Sequence, residues 1–534
     1  MTADRGASLA RLRDERFDVV VVGGGITGCG VALDAAARGL QVALVDRKDL
    51  ASGTSSKSSK LVHGGLRYLQ QGDVQLVREA LKERQVLYEN APHLVRRLPF
   101  LIPIFSSEGV ISPKLAKALK SALWAYDRAG GKRIGKTYEQ VTADQAFELV
   151  DTLTRERTVG GFVYYDAQTD DARLTMTVAR TAIDEGATVV THCPVVALLK
   201  DDAGRATGVR VQPVDAEGTI DVRATVVVNA TGVWSDHLRT LDEGTDPDSI
   251  RPAKGIHITV PWSKVRNQIA CVFPVPKDRR SIFVVPTADR SATYIGTTDT
   301  DYEGPLDDPQ CTAEDVRYLL DAMNASLEEP LSEADVLGTW AGLRPLVKSA
   351  TSARTADLSR GHKVARSDSG VVSIAGGKLT TYRHMAADTV DEVMRAVGRK
   401  GASKTTKRRL HGADGYEAAL GVDERLANRY GGDTTAVLAL VEEDPSLGEP
   451  LVAGQPYLKA EAVHAVRDEL AHTLDDVLTR RIPLRWLARD AAVAAAETTA
   501  RLIAPELGWS EERITTEVES FRAACAAERD AAHV

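Results

Sequence analysis

Three kinds of hydrophobic patterning follow one another along the chain. Near the start, Val19 to Val22 is a short β-branched run of the kind that fills a parallel strand buried on both faces. Three glycines, Gly23, Gly25 and Gly28, come next, then an alanine-rich helical stretch and a second strand ending at Asp46. A charged helix is predicted from about Asp73 to Asn90, closed by Pro92. Strand-like runs resume as TVVTHCPVVALLK, ATGVRVQPV, ATVVVNATG, GIHITVP, SIFVVPT and ATYIGTTD. The run Ala224 to Gly232 reads as a buried strand that returns to the first sheet beside the glycine turn. The runs between Gly255 and Thr298 suit a separate antiparallel sheet. From about Thr405 the β-branched runs give way to Leu/Ala/Arg periodicity, which predicts a third, helical domain.

The first strand–turn–helix–strand unit carries specific chemistry. Gly23, Gly25 and Gly28 allow a tight turn, close backbone approach to a pyrophosphate and close helix–strand packing. The helix N-terminus beyond them favours negative charge. Asp46 stands where a carboxylate accepts both ribose hydroxyls, and it would repel a 2′-phosphate. An ADP-containing dinucleotide other than NADP is the expected ligand.

Composition narrows the class. A chain of 534 residues suggests two to four domains, and 43% hydrophobic with 27% charged residues is that of a globular protein. No stretch approaches 18 uninterrupted apolar residues, so no spanning helix is expected. The N-terminus MTADRGASLARLRDER lacks an apolar core and reads as a short extension over residues 1–16. Five scattered cysteines, none in a CxxC pair, point to a reducing cytosol without disulfides, iron–sulfur clusters or a metal site. Cys29 in the glycine turn reads as a small buried thiol. A net charge of −8 argues against nucleic-acid binding. No fixed-period repeat is visible.

The strings TSSKSSKLVHGGLRYL, DDARL, VNATGVWSD, KGIHITV, YIGTTD, GLRPL and GGKLTTYR occur in this order. Together they resemble the aerobic, respiratory FAD-dependent glycerol-3-phosphate dehydrogenases, from about Phe17 to Arg383. DDVLTRRIPL (Asp475 to Leu484) is similar to that family's C-terminal domain. The resemblance implies an α/β two-domain FAD-binding fold, with a Rossmann-like dinucleotide domain, an antiparallel-sheet substrate domain and a C-terminal α-helical domain. FAD-binding parts are expected at about 17–90, 150–250 and 340–395, substrate parts at about 91–149 and 251–339, and the helical domain at 401–534. It also implies non-covalent FAD, oxidation of sn-glycerol 3-phosphate by hydride transfer from C2 to flavin N5, and a membrane quinone as acceptor. A homodimer is admitted by this reading. The rivals are an oxidase using O₂, for which no extra insert is visible, an amine or amino-acid oxidase, and a non-catalytic flavin sensor.

Site residues follow from the same resemblance. The hydroxyl-rich loop Ser52 to Lys60 would be a linker by composition alone; its place after Asp46 sets Thr54, Ser55 and Ser59 against FAD. His63, Gly64, Gly377, Lys378 and Thr380 complete the expected cofactor contacts. Arg67, Tyr68, Arg344, Arg360 and Lys378 are expected to hold the phosphate, since guanidinium forks and an ammonium match its oxygens. Gly361 follows Arg360 where the family has an acid, and Ile256 stands where it commonly has Ser. His257 is the expected base and His63 its competitor, although a lone histidine between isoleucines is more often a satisfied core residue. The segment ISPKLAKALKSALWAYDR predicts a basic amphipathic helix over about 113–128, started by Ser112 and Pro113. With Lys114, Lys117, Lys120 and Trp124, it is the expected peripheral contact with the inner face of the cell membrane, against the alternative of ordinary packing.

Overall fold

In the computed structural model, residues 4–66, 73–106, 113–275, 280–348 and 361–534 are described. The first sheet forms around the glycine-turn unit. Strand Arg16–Val22 runs parallel to Val42–Val45 on one side and to Ile220–Asn229 on the other, with Val19 opposite both Val42 and Val226. The order across the sheet is His362–Arg366, Val372–Gly376, Ile220–Asn229, Arg16–Val22, Val42–Val45 and Thr188–Val190, and an antiparallel hairpin joins Ile220–Asn229. The near-continuous valines of the central strands are explained by burial on both faces. One face packs on helices Ile26–Ala37, Asp171–Asp184 and Tyr382–Ala396; Leu12, Phe17 and Leu238 belong to the cluster on the other.

Two sequence-based expectations are corrected here. Residues 1–16 are more than a loose extension: helix Arg5–Asp14 is capped by the Asp4 side chain, buries Leu12 fully, and its Arg5 pairs with Asp215. Leu12 and the partly buried Leu9 alone give too little periodicity to announce such a helix. The interleaving of the two sheets also differs. Strand Thr158–Gln168 and, from residue 340 on, strand Gly338–Val347 fall in stretches assigned to the FAD-binding part, yet both lie in the second sheet, paired with Arg96–Phe105 and Ile250–Pro261 respectively. Apolar runs of this length fit either sheet, and only pairing partners decide between them.

Helix Pro113–Ala129 settles against the second sheet. Leu119, Leu123 and Tyr126 are buried in one cluster with Leu81, Phe100 and Phe162, so its apolar stripe is used for packing and is not free to enter a bilayer. Lys117 and Lys120 stay exposed, as does Trp124 at 51%, with Arg128 stacked on it 4.4 Å from the ring centre. None of the helices among the described residues is long and apolar enough to cross a membrane.

The C-terminal region is helical, with a core of its own that includes Leu474, Leu478, Ile503 and Phe521. It is clamped to the first domain through Asp49, which is fully buried and accepts from Arg480 Nε at 2.6 Å and from Arg481 at 2.5 and 2.8 Å. A second buried pair, Arg173 with Glu469, crosses the same boundary at 2.8 Å.

Candidate functional site

At the glycine turn the first sheet opens into a cavity of about 310 Å³ lined by Gly23, Gly25, Asp46, Thr54, Ser55, Ala230, Gly377 and Lys378. Its floor is shaped by missing side chains. Gly23 has φ +110°, and a Cβ there would lie 2.6 Å from Ala230 O; a Cβ on Gly28 would lie 1.8 Å from Gly23 O. Helix Ile26–Ala37 starts at Gly25 with no side-chain cap of its own, and Ile26 N–H donates to Ser55 Oγ at 2.9 Å. Asp46 closes the adjoining wall. Its carboxylate accepts from Gly24 N–H at 2.5 Å and Lys48 N–H at 2.8 Å, while withdrawal from water pushes its pKa up to about 6. This combination of a backbone cradle, a helix N-terminus and one acid fits the ADP half of FAD.

The other expected contacts divide between two places. Thr54 Oγ1 donates to Leu343 O at 2.5 Å, which fastens the loop to the second sheet. Thr380 Oγ1 accepts from His63 N–H at 3.2 Å and sits 3.3 Å from His63 O, so the turn carrying Lys378 is held to the loop after Lys60. The His63 ring stands edge-on to Phe283 at 6.1 Å. At Gly64 the place a Cβ would take is filled by Leu81 Cδ2 and Tyr126 OH, each 2.5 Å away, so a side chain there would collide with both. Arg67, Tyr68 and Arg360 lie outside the described residues.

His257 marks the second place. It sits on strand Ile250–Pro261, opposite Trp340 on one side and Gly296 on the other, and is 2% exposed. Its ring stacks on Trp340 at 4.8 Å and 11°, and Nε2 is 3.0 Å from Ser59 Oγ. Nδ1 is buried and has no hydrogen-bond partner among the described residues. Burial first, then the Arg344 and Lys60 charges, hold its pKa well below the ordinary histidine value, so the imidazole is neutral. Arg344 is held by Asp299 Oδ1 at 3.2 Å, Thr297 Oγ1 at 3.2 Å and Thr298 O at 3.1 Å.

Sequence reasoning passed over the residues that fix this arrangement. Lys60 Nζ donates to Asp171 Oδ1 at 2.5 Å, and Asp171 Oδ2 accepts from Ser58 N–H at 2.9 Å and from its hydroxyl at 2.6 Å. The loop presenting Ser59 is thereby pinned to the start of helix Asp171–Asp184. Lys60 Nζ also lies 5.5 Å from the Trp340 ring and 5.2 Å from Trp486 of the helical region, whose carbonyl accepts from Thr259 Oγ1. Asp171 lay in the quoted string DDARL, but nothing local tied it to Lys60. Trp340 and Trp486 carried no sequence signal, because their roles exist only in strand register and domain contact.

Residues 18–383 match the family described as FAD dependent oxidoreductase, and residues 391–514 match the C-terminal domain of alpha-glycerophosphate oxidase. A glycerol-3-phosphate dehydrogenase 2 of Mycobacterium tuberculosis is 43% identical, the alignment covering 98% of this chain and 91% of that protein. The chain belongs to the FAD-dependent glycerol-3-phosphate dehydrogenase family. A mitochondrial glycerol-3-phosphate dehydrogenase of Mus musculus is 37% identical over 97% of this chain and 74% of its own length. The crystal structure of a glycerol-3-phosphate dehydrogenase from Bacillus halodurans complexed with FAD superposes with a TM-score of 0.79 at 32% identity, covering 98% of this chain and 97% of that one. The enzyme is accordingly an FAD-dependent oxidoreductase, an α/β FAD-binding fold followed by a helical domain.

Proposed function

We propose that the enzyme oxidises sn-glycerol 3-phosphate to dihydroxyacetone phosphate, with the first cavity holding FAD and the His257 side of the loop receiving the substrate. The observation that carries this reading is the neutral, buried His257, which lies beside Arg344 and contacts Ser59 of the loop whose earlier residues, Ser52 to Ser55, line the cofactor cavity. FAD, when bound, supplies the oxidant by accepting the C2 hydride at N5. Arg344 and Lys378, with Arg67, Tyr68 and Arg360, provide cations and a phenol for the phosphate end. This remote handle orients C2 and converts binding energy into rate. With Nε2–H donated to Ser59, Nδ1 keeps its lone pair, and the imidazole takes the hydroxyl proton as the C–H bond breaks. A phosphate dianion on Arg344 offsets one of the charges that depress the His257 pKa, so substrate binding itself makes the base stronger.

A quinone is the proposed acceptor, reached by peripheral docking on the inner face of the membrane. With the apolar stripe of helix Pro113–Ala129 packed inward, the contact rests on Lys117, Lys120 and the exposed Trp124. An oxidase using O₂ is the second reading, favoured by the match of residues 391–514 to a domain named for an oxidase. Anaerobic mixing with sn-glycerol 3-phosphate tests the substrate: the flavin absorbance should bleach, and a flavin left oxidised by saturating substrate refutes the reading. Reoxidation of the bleached enzyme should then be much faster with a quinone analogue than with O₂, and the reverse order makes it an oxidase.

A further inference from the structure

Away from the flavin cavity, His362, His384 and Asp388 bring one ligand atom each within 4.8 Å of one another. His362 begins strand His362–Arg366. His384 and Asp388 stand one turn apart on helix Tyr382–Ala396, so both project from one face. Asp388 Oδ2 is 2.8 Å from His362 Nε2, its Oδ1 is 3.8 Å from His384 Nε2, and the two rings meet edge to face at 5.5 Å. Metal–ligand bonds of about 2.1 Å in a tetrahedron place ligand atoms about 3.4 Å apart, a spacing that small side-chain adjustments reach from three ligand atoms already within 4.8 Å of one another. His362 is largely buried, whereas the His384 ring and the Asp388 carboxylate are half-exposed, so water has access to complete the coordination.

The surroundings suit a metal better than a plain ion pair. Glu79, from helix Val74–Asn90, places Oε1 3.0 Å from His384 Nδ1, the ring nitrogen facing away from Asp388. In a histidine–metal site an imidazole that ligates through one nitrogen usually donates its other N–H to a carboxylate; Glu79 stands at that distance, although the contact lies outside hydrogen-bond geometry, and it adds negative charge beside the ring. Two imidazoles with a single ligating carboxylate select borderline divalent ions such as Zn²⁺, Ni²⁺ or Co²⁺, whereas Ca²⁺ and Mg²⁺ want more oxygen ligands. We propose that His362, His384 and Asp388 form a binding site for one divalent ion of the zinc class, supported by Glu79. The ion would clip the strand His362–Arg366 to two helices, one of which directly follows the turn carrying Lys378. Cysteine spacing could not reveal it, because the ligands are histidines and an aspartate from two separate elements.

The test uses the full-length, flavin-loaded enzyme after chelator treatment and dialysis. Calorimetric titration with ZnCl₂ should show one saturable site per chain, and Co²⁺ should give a visible d–d absorption band that Zn²⁺ abolishes. Saturating Zn²⁺ should also raise the melting temperature. His362→Gln, His384→Gln and Asp388→Asn should each weaken Zn²⁺ binding at least tenfold, and Glu79→Gln by less; His533→Gln, a surface histidine elsewhere, should bind as the parent does. Flavin content and metal-free melting temperature identify which variants fold, and Asp388→Asn, at the more exposed ligand, probes the site even where a histidine variant does not. Absence of a stoichiometric site in the parent, or parental affinity in any folded ligand variant, overturns the proposal.

Discussion

His257 Nε2 and Ser59 Oγ lie 3.0 Å apart, a contact that joins the second sheet to the loop closing the cofactor cavity. The hydroxyl is the polar partner of an otherwise apolar, stacked ring. Ser59→Ala leaves the imidazole without it, and a hydrogen bond of about 1.4 kcal/mol corresponds to about a tenfold loss in the rate of flavin reduction. His257→Ala should lose more, about 10²–10⁴-fold, if the ring is the base. Stopped-flow reduction under anaerobic conditions measures both, and an unchanged rate in His257→Ala returns the proton to His63 or water.

Arg344→Lys keeps the charge and loses the planar fork held by Asp299, Thr297 and Thr298. We expect kcat/KM for sn-glycerol 3-phosphate to fall about ten- to a hundredfold while flavin content stays near one per chain. Wild-type kcat/KM would remove Arg344 from the substrate site.

Asp46→Ala should weaken FAD binding by about 1.5–3 kcal/mol, the worth of a charge-assisted hydrogen-bond acceptor. Flavin retained after extensive dialysis is the readout, with full retention counting against Asp46 as the ribose ligand.

The clamp at Asp49 should matter for stability. Asp49→Ala leaves Arg481 buried with only the Glu469 carbonyl to accept from it among the described residues, while Arg480 keeps Asp475 and Asp476, and breaking such a buried pair typically costs about 3–5 kcal/mol. The expected signature is a markedly lower melting temperature together with earlier proteolytic release of the helical region. A variant melting with the wild type would show that the remaining contacts carry the boundary.

His257 also predicts a pH dependence. Its folded pKa lies well below the unfolded value of about 6.5, so below about pH 6.5 the unfolded chain binds a proton that the folded one refuses. Stability from this group is therefore lost as pH falls, by at most about 1.4 kcal/mol per pH unit, and is unaffected above about pH 7.5. His257→Gln, neutral throughout, should show a shallower decline of melting temperature between about pH 6.5 and pH 5 than the wild type. Parallel declines would mean that the histidine titrates normally.

Local sequence alone determined the glycine turn, Asp46, the helix capped by Asp73 and the helical character beyond Thr405, because each depends on residues a few positions apart. The ordered motifs likewise carried the family and its cofactor. Tertiary structure alone decided which sheet receives Thr158–Gln168 and Gly338–Val347, and whether the stripe of helix Pro113–Ala129 faces a core or a bilayer. It also decided that Ser59 meets His257 across 198 residues and that Asp49 meets Arg480 across 431. Hydrophobic period and capping are nearest-neighbour properties of the chain. Pairing at such separations is set by strand register and domain docking, where a buried charge or imidazole is tolerated only once its distant partner has been brought to it.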